Sequence, residues 1–127
     1  REGGDVTIVG VSTMVRAALG AAESLAEDHG IEAEVIDVMS LSPLDADAII
    51  ASVERTGRLA IVHEAHAPCG IGAEIIARVS ESAFGALKAP PRRITPPFAP
   101  SPFAPVLEKA YLPDAARIVD EIRALIA

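Results

Sequence analysis

Apolar and polar positions fall into alternating blocks along this chain, short dense apolar runs followed by longer stretches at helical spacing. "DVTIVGV", residues 5–11, is rich in Val, Ile and Thr and predicts a strand. Ser12 or Thr13 can cap the helix that follows, in which Val15, Leu19, Ala22 and Ala26 recur at helical spacing until His29-Gly30 stops it. "IEAEVIDVMSL" predicts a second strand, with Ala33, Val35 and Asp37 on one face. In "SPLDADAIIASVERTG" Ser42 is expected at the N-cap, Pro43 at the first helical position, Asp45 three residues after the cap and Gly57 just past the end. "RLAIVHEA" is apolar on both faces from Leu59 to Val62, as a strand covered from both sides in a parallel sheet must be.

The second half continues in the same way. Residues 72–84 place Ile75, Ile76, Val79 and Ala83 on one helical side, and residues 92–95, "RRIT", predict a short strand. Residues 96–105, "PPFAPSPFAP", hold five prolines, which lack the amide a sheet needs, so an extended surface crossing is expected there. Such a crossing is either a stiff connection or a presenter of Phe98 or Phe103 to a neighbour. The last helix is expected from Pro113 to the end, with Ile118, Ile122 and Leu125 or Ile126 inward. Strands and helices in this order predict a single domain over residues 1–127, a three-layer α/β/α sandwich with a mostly parallel sheet.

Composition narrows the partners. Half of the 127 residues are hydrophobic but only 3% are aromatic, so the core has to be built from Ala, Val, Ile and Leu. The formal net charge of −7 repels a phosphate backbone, which argues against nucleic acid. No apolar run approaches the roughly 18 to 20 residues of a membrane span, so no membrane role is expected. A single cysteine forms no internal disulfide and suits a reducing compartment, cytoplasmic or matrix-like. The chain starts at Arg1, and a piece of a longer subunit is the expected reading.

Candidate chemistry concentrates in "RLAIVHEAHAPCGIGAEI", residues 58–75. His63 and His66 are three apart at a strand end, whereas the metalloprotease pattern needs four on a helix, and His29 is distant; a polar strand terminus accounts for them better than zinc. Gly70 and Gly72 stand where a dinucleotide fingerprint would lie, but its third glycine would fall on Ile75 and no P-loop lysine is present. Sharp turning and close packing explain both glycines. Cys69 should lie near a helix N-terminus that favours thiolate, beside two histidines, although inert packing is the expected role. Among the acids, Glu32 and Glu34 share one side of a strand, Asp45 and Asp47 suit the first turn of a helix, and Glu23, Glu27 and Asp28 form a solvated face. None demands proton transfer. Two rival readings stay open: an autonomous small-molecule or phosphate-binding domain using the 70–72 turn, and a thiol enzyme centred on Cys69.

The order of segments is also familiar. "DVTIVG", "MVRAALGAAESL", "EVIDVMSLSPLD", "SVERTGRLAIVHEA", "GIGAEIIARV", "LKAPPRRIT" and "PSPFAPVLEKAYLP" together resemble the C-terminal domain of the β subunit of thiamine-dependent 2-oxoacid dehydrogenases, which are related to transketolase. The resemblance implies a five-stranded, mostly parallel sheet with one antiparallel strand. It implies that thiamine diphosphate and magnesium belong to the whole enzyme and are not bound by this domain alone, so no catalytic, cofactor or metal residue is expected here. It further implies an α subunit and a second β subunit in an α2β2 tetramer, and docking of the acyltransferase core subunit. For such contact the expected residues are Asp120, Glu121 and Arg123 of the final helix, with the carboxylate of Ala127. Met39-Ser40, Ser12 and Pro96-Pro97-Phe98 depart from the family's usual pattern, and "HEA" at residues 63–65 leans toward the branched-chain enzymes.

Overall fold

The computed structural model describes all residues from Arg1 to Ala127. Four strands, β1 (Val6–Val11), β2 (Ala33–Val38), β3 (Leu59–Val62) and β4 (Arg92–Ile94), form one sheet in the order β2-β1-β3-β4, every pair parallel. Five helices complete the chain: α1 (Met14–His29), α2 (Ala46–Thr56), α3 (Ile71–Ala83), α4 (Pro105–Tyr111) and α5 (Ala115–Ile126). A 3-10 turn, Phe84–Ala86, extends α3.

Strand periodicity of two decides which helix covers which face. Val6, Ile8, Ala33, Val35, Ala60, Val62 and Ile94 meet α1 and α5, whose Ala18, Ala22, Leu25, Ile118 and Ile122 complete the thicker core. Val9, Leu59 and Ile61 face α2 and α3, packing on Ile49, Val53, Ile75 and Val79. Because β3 is buried on both sides, its run of four apolar residues is continuous. On the α2 side one polar knot interrupts the apolar contact. The Thr7 hydroxyl meets Ser52 Oγ at 2.6 Å and Thr56 Oγ1 at 2.8 Å, all three fully buried, which fixes α2 against β1.

Four expectations are corrected. The sheet has four strands and none is antiparallel to the rest. At the outer edge of β2, Arg1 exchanges both backbone hydrogen bonds with Val35 (2.9 and 3.2 Å), the pattern of an antiparallel pair, but one residue long and therefore not a strand. Helix α2 is capped by Asp45, not Ser42: its carboxylate accepts from the Ala48 amide at 3.1 Å, and the cis Ser42–Pro43 bond lies in the turn before. Two capping residue types stand three apart, and the second reaches an orphan amide. Finally, the extended crossing spans residues 96–104 as expected, but Pro105 then starts α4, a two-turn helix whose first position suits proline. Asp37 is exposed, so only Ala33 and Val35 carry the inward face of β2 at those positions.

Candidate interaction surface

A parallel sheet offers the carboxyl ends of its strands to ligands and partners, most openly where the chain turns from one side of the sheet to the other. Here that point lies between β1 and β3, and the loop of residues 63–70 rises from it. His63 continues β3, donates its amide to Ile94 O at 3.3 Å and is 1% exposed. Neither ring nitrogen has a hydrogen-bond partner. Burial pushes the imidazole below its usual titration range; the neighbouring Ala65 backbone offsets part of this, and the Arg93 charge adds to it.

Glycine makes the burial possible. A Cβ on Gly70 would stand 2.6 Å from His63 Cε1, and one on Gly72 would stand 2.7 Å from Nε2. The Gly-x-Gly turn at the α3 N-terminus is therefore filled by an imidazole ring, not left open for a phosphate. An open groove of about 340 Å³ exists at the end of β2, lined by Ile36, Val38, Met39, Leu44 and Ile49 among others; His63, His66 and Cys69 are not part of it.

His66 does something different. Its Nε2 lies 2.9 Å from Ala99 O and 2.6 Å from the Tyr111 hydroxyl, which itself donates to Ala99 O at 2.9 Å. Phe98 meets the ring edge-on, centroids 5.2 Å apart. Arg93 Nη1 donates to Ala67 O at 2.7 Å and braces the same loop from β4. Sequence reading missed this cluster, because its members are 33 and 45 residues apart and no local pattern announces it.

Cys69 is exposed, at φ 59°, directly before the N-cap Gly70 of α3. The expectation of a partly buried packing thiol is corrected: the residue holds a left-handed turn and fills no core space. His29 ends α1, which carries the chain back from the carboxyl end of β1 to the start of the parallel β2, and so lies at the opposite end of the strands from His63 and His66. No three His, Cys, Asp or Glu side chains come together in a metal-binding group. Glu32 and Glu34 are engaged by Arg1 and Arg55.

The most unusual surface belongs to the proline segment and α4. From Ile94 to Leu107 fourteen residues carry no charge in a chain of net −7. Phe98 is 77% exposed, Phe103 102%, Val106 81% and Leu107 59%, and no residue of α4 is buried. On α5 the residues expected to make contact lie outside the core: Asp120, Arg123 and Ala127 are exposed and Glu121 half-buried, while Ile118, Ile122 and Leu125 face inward. None of the four forms an ion pair.

Comparison with known proteins agrees with this architecture. The family model described as "Transketolase, C-terminal domain" matches residues 1–118. The β subunit of acetoin:2,6-dichlorophenolindophenol oxidoreductase from Cupriavidus necator is 50% identical over 123 residues, covering 97% of this chain and 36% of the relative. The β subunit of the pyruvate dehydrogenase E1 component from Bacillus subtilis is 42% identical over 123 residues, 97% of this chain and 37% of the relative. A solved structure described as a split-gene transketolase in an inactive β4 tetramer overlays with a TM-score of 0.82 at 29% identity, covering 99% of this chain and 39% of that one. The chain thus spans little more than a third of the length of these relatives. It belongs to the transketolase C-terminal domain family.

Proposed function

We propose that this domain is the C-terminal, assembly part of the β subunit of a thiamine-dependent dehydrogenase component acting on a 2-oxoacid or on acetoin. The relatives are named for acetoin and pyruvate; a branched-chain substrate rests on "HEA" at residues 63–65 alone. In this reading the whole enzyme cleaves its substrate on thiamine diphosphate with magnesium and passes the acyl group to a lipoyl arm. The cofactor supplies the carbanion chemistry. In this reading the chemical steps belong to the part of the subunit outside residues 1–127, in keeping with a chain that spans little more than a third of its relatives' length.

What this domain contributes is contact with an α subunit and a second β subunit. The uncharged, exposed ledge of Phe98, Phe103, Val106 and Leu107 is the observation that carries this. Two chains of net charge −7 repel each other except where the facing surfaces are neutral and apolar. The ledge is such a surface, and the β4 tetramer formed by the overlaid transketolase supports a second β chain as its occupant. Large exposed aromatic side chains grouped on one surface mark protein interfaces more often than chance solvent exposure.

Analytical ultracentrifugation of the full β chain expressed with its α partner tests the reading. Phe103→Asp and Leu107→Asp together should convert α2β2 into αβ, while Arg78→Glu, on the exposed side of α3, leaves it intact. An α2β2 mass unchanged by the ledge substitutions overturns the proposal.

A further inference from the structure

Residues 97–112 hold no buried side chain. Their backbone hydrogen bonds are local, from Ala99 to Pro97, from Leu107 and Glu108 to Ala104, and from Leu112 to Glu108. One side chain from elsewhere in the molecule hydrogen-bonds this whole stretch, and it is His66. We infer that His66 is a positioning residue, a latch that holds the uncharged ledge in the geometry its partner subunit docks against. The inference rests on the assembly reading above and names a residue that controls it.

The chemistry of the latch follows from what each atom can do. Ala99 O only accepts. With Tyr111 Oη donating to that carbonyl, its oxygen presents lone pairs to the imidazole as well. Nε2 therefore faces two acceptors and carries the proton, shared between Ala99 O at 2.9 Å and Tyr111 Oη at 2.6 Å. Other charged groups from packed elements do not compete: Arg93 is spent on Ala67 O, and Arg117 on Thr95 O at 2.9 Å.

The three groups sit on three separate segments: the loop after β3, the proline crossing and the last residue of α4. Closing the triangle orders both ends of the ledge at once. Phe98 is thereby pinned edge-on to His66, while Phe103, at the middle of the ledge, projects freely. A partner that meets an ordered ledge avoids the entropy of ordering it, which strengthens docking without adding a contact. His66 touches neither Phe103 nor Leu107 by hydrogen bond, so its effect on assembly is transmitted through order.

Two measurements on the full β chain separate this inference from the assembly reading. In the first, chymotrypsin is applied to the unassembled chain. Cleavage after Phe98 and Phe103 should accelerate about ten-fold in His66→Ala and less in His66→Gln, whose amide can still donate to Ala99 O. Tyr111→Phe should accelerate it too, and the double variant should gain little more, because the three groups act as one network. In the second, pairing of two αβ units through the second β chain is followed by sedimentation; His66→Ala should weaken α2β2 relative to αβ by a similar factor, with His66→Gln partly restoring it. Unchanged cleavage in His66→Ala overturns the latch. Faster cleavage with undiminished assembly overturns its role in positioning the ledge. If the Phe103→Asp, Leu107→Asp variant also assembles normally, the assembly reading falls while the cleavage result for the latch stands.

Discussion

At the scale of single residues, His63 is the group whose environment departs furthest from water. Its ring is buried with both nitrogens unpartnered, against two glycines and near a guanidinium, so the neutral form is favoured in the folded chain. The sign of the consequence is fixed. A base whose folded pKa lies below its unfolded value binds fewer protons folded than unfolded in the interval between them. Stability therefore rises with pH through the window that ends at the unfolded value near 6.5, and falls as pH drops through the lowered folded value. Urea unfolding of wild type and His63→Leu between pH 7.5 and 5 should show the wild type losing stability relative to the variant, at no more than about 1.4 kcal/mol per pH unit. Parallel curves would show that His63 keeps its proton affinity on folding. Such burial is not legible in the sequence. "HEAH" reads as a polar strand end better than as a ligand pair, but that reading does not say which histidine is buried, and only the fold shows His63 turned inward while His66 turns toward Tyr111.

At the scale of elements, sequence periodicity was sufficient wherever burial is regular. β1, β3 and the bounds of α1 appear within a residue or two of the predicted positions, and so do the inward residues of α5. The stripe of α1 is corrected: of Val15, Leu19, Ala22 and Ala26 only Ala22 is buried, and Met14, Ala18, Ala21 and Leu25 face the core instead. Periodicity fails where an element lacks a buried face. α4 has no buried residue, so no apolar repeat marks it, and its only local sign is proline at the first helical position. The start of α2 fails for another reason: Ser42 and Asp45 are both good caps, and spacing alone cannot choose between them. The structure chooses Asp45, whose carboxylate accepts from Ala48, and leaves Ser42 in the preceding turn. Asp45→Ala should therefore cost about 1 kcal/mol in chemical denaturation, within the range measured for lost N-caps. Ser42→Ala should change stability by less than about 0.5 kcal/mol, as substitutions away from caps and cores do. Equal losses from the two would mean that Ser42 also satisfies the helix start.

At the scale of the whole molecule, the layered fold separates two kinds of surface. The proline crossing and α4 present an uncharged ledge held by His66, while α5 lies on α1 and turns Asp120, Glu121 and Arg123 outward without ion pairs. An apolar ledge suits permanent contact within the enzyme; unpaired acids near Ala127 suit a basic module that docks and leaves. If the assembly reading proposed above holds and an acyltransferase core subunit docks on this domain, α5 is the surface proposed for it, and its binding should weaken as salt rises, since exposed charges interact over roughly 8 to 10 Å at physiological ionic strength. Asp120→Lys with Glu121→Lys should slow association at least ten-fold at low salt, because rim charges act mainly on the encounter rate. The same pair should leave the α2β2 mass unchanged, whereas the ledge substitutions should do the reverse. Surface plasmon resonance with the immobilised core subunit's binding domain reads the first effect and ultracentrifugation the second. An unaltered association rate removes α5 as the docking helix and leaves the ledge as the contact surface of this domain.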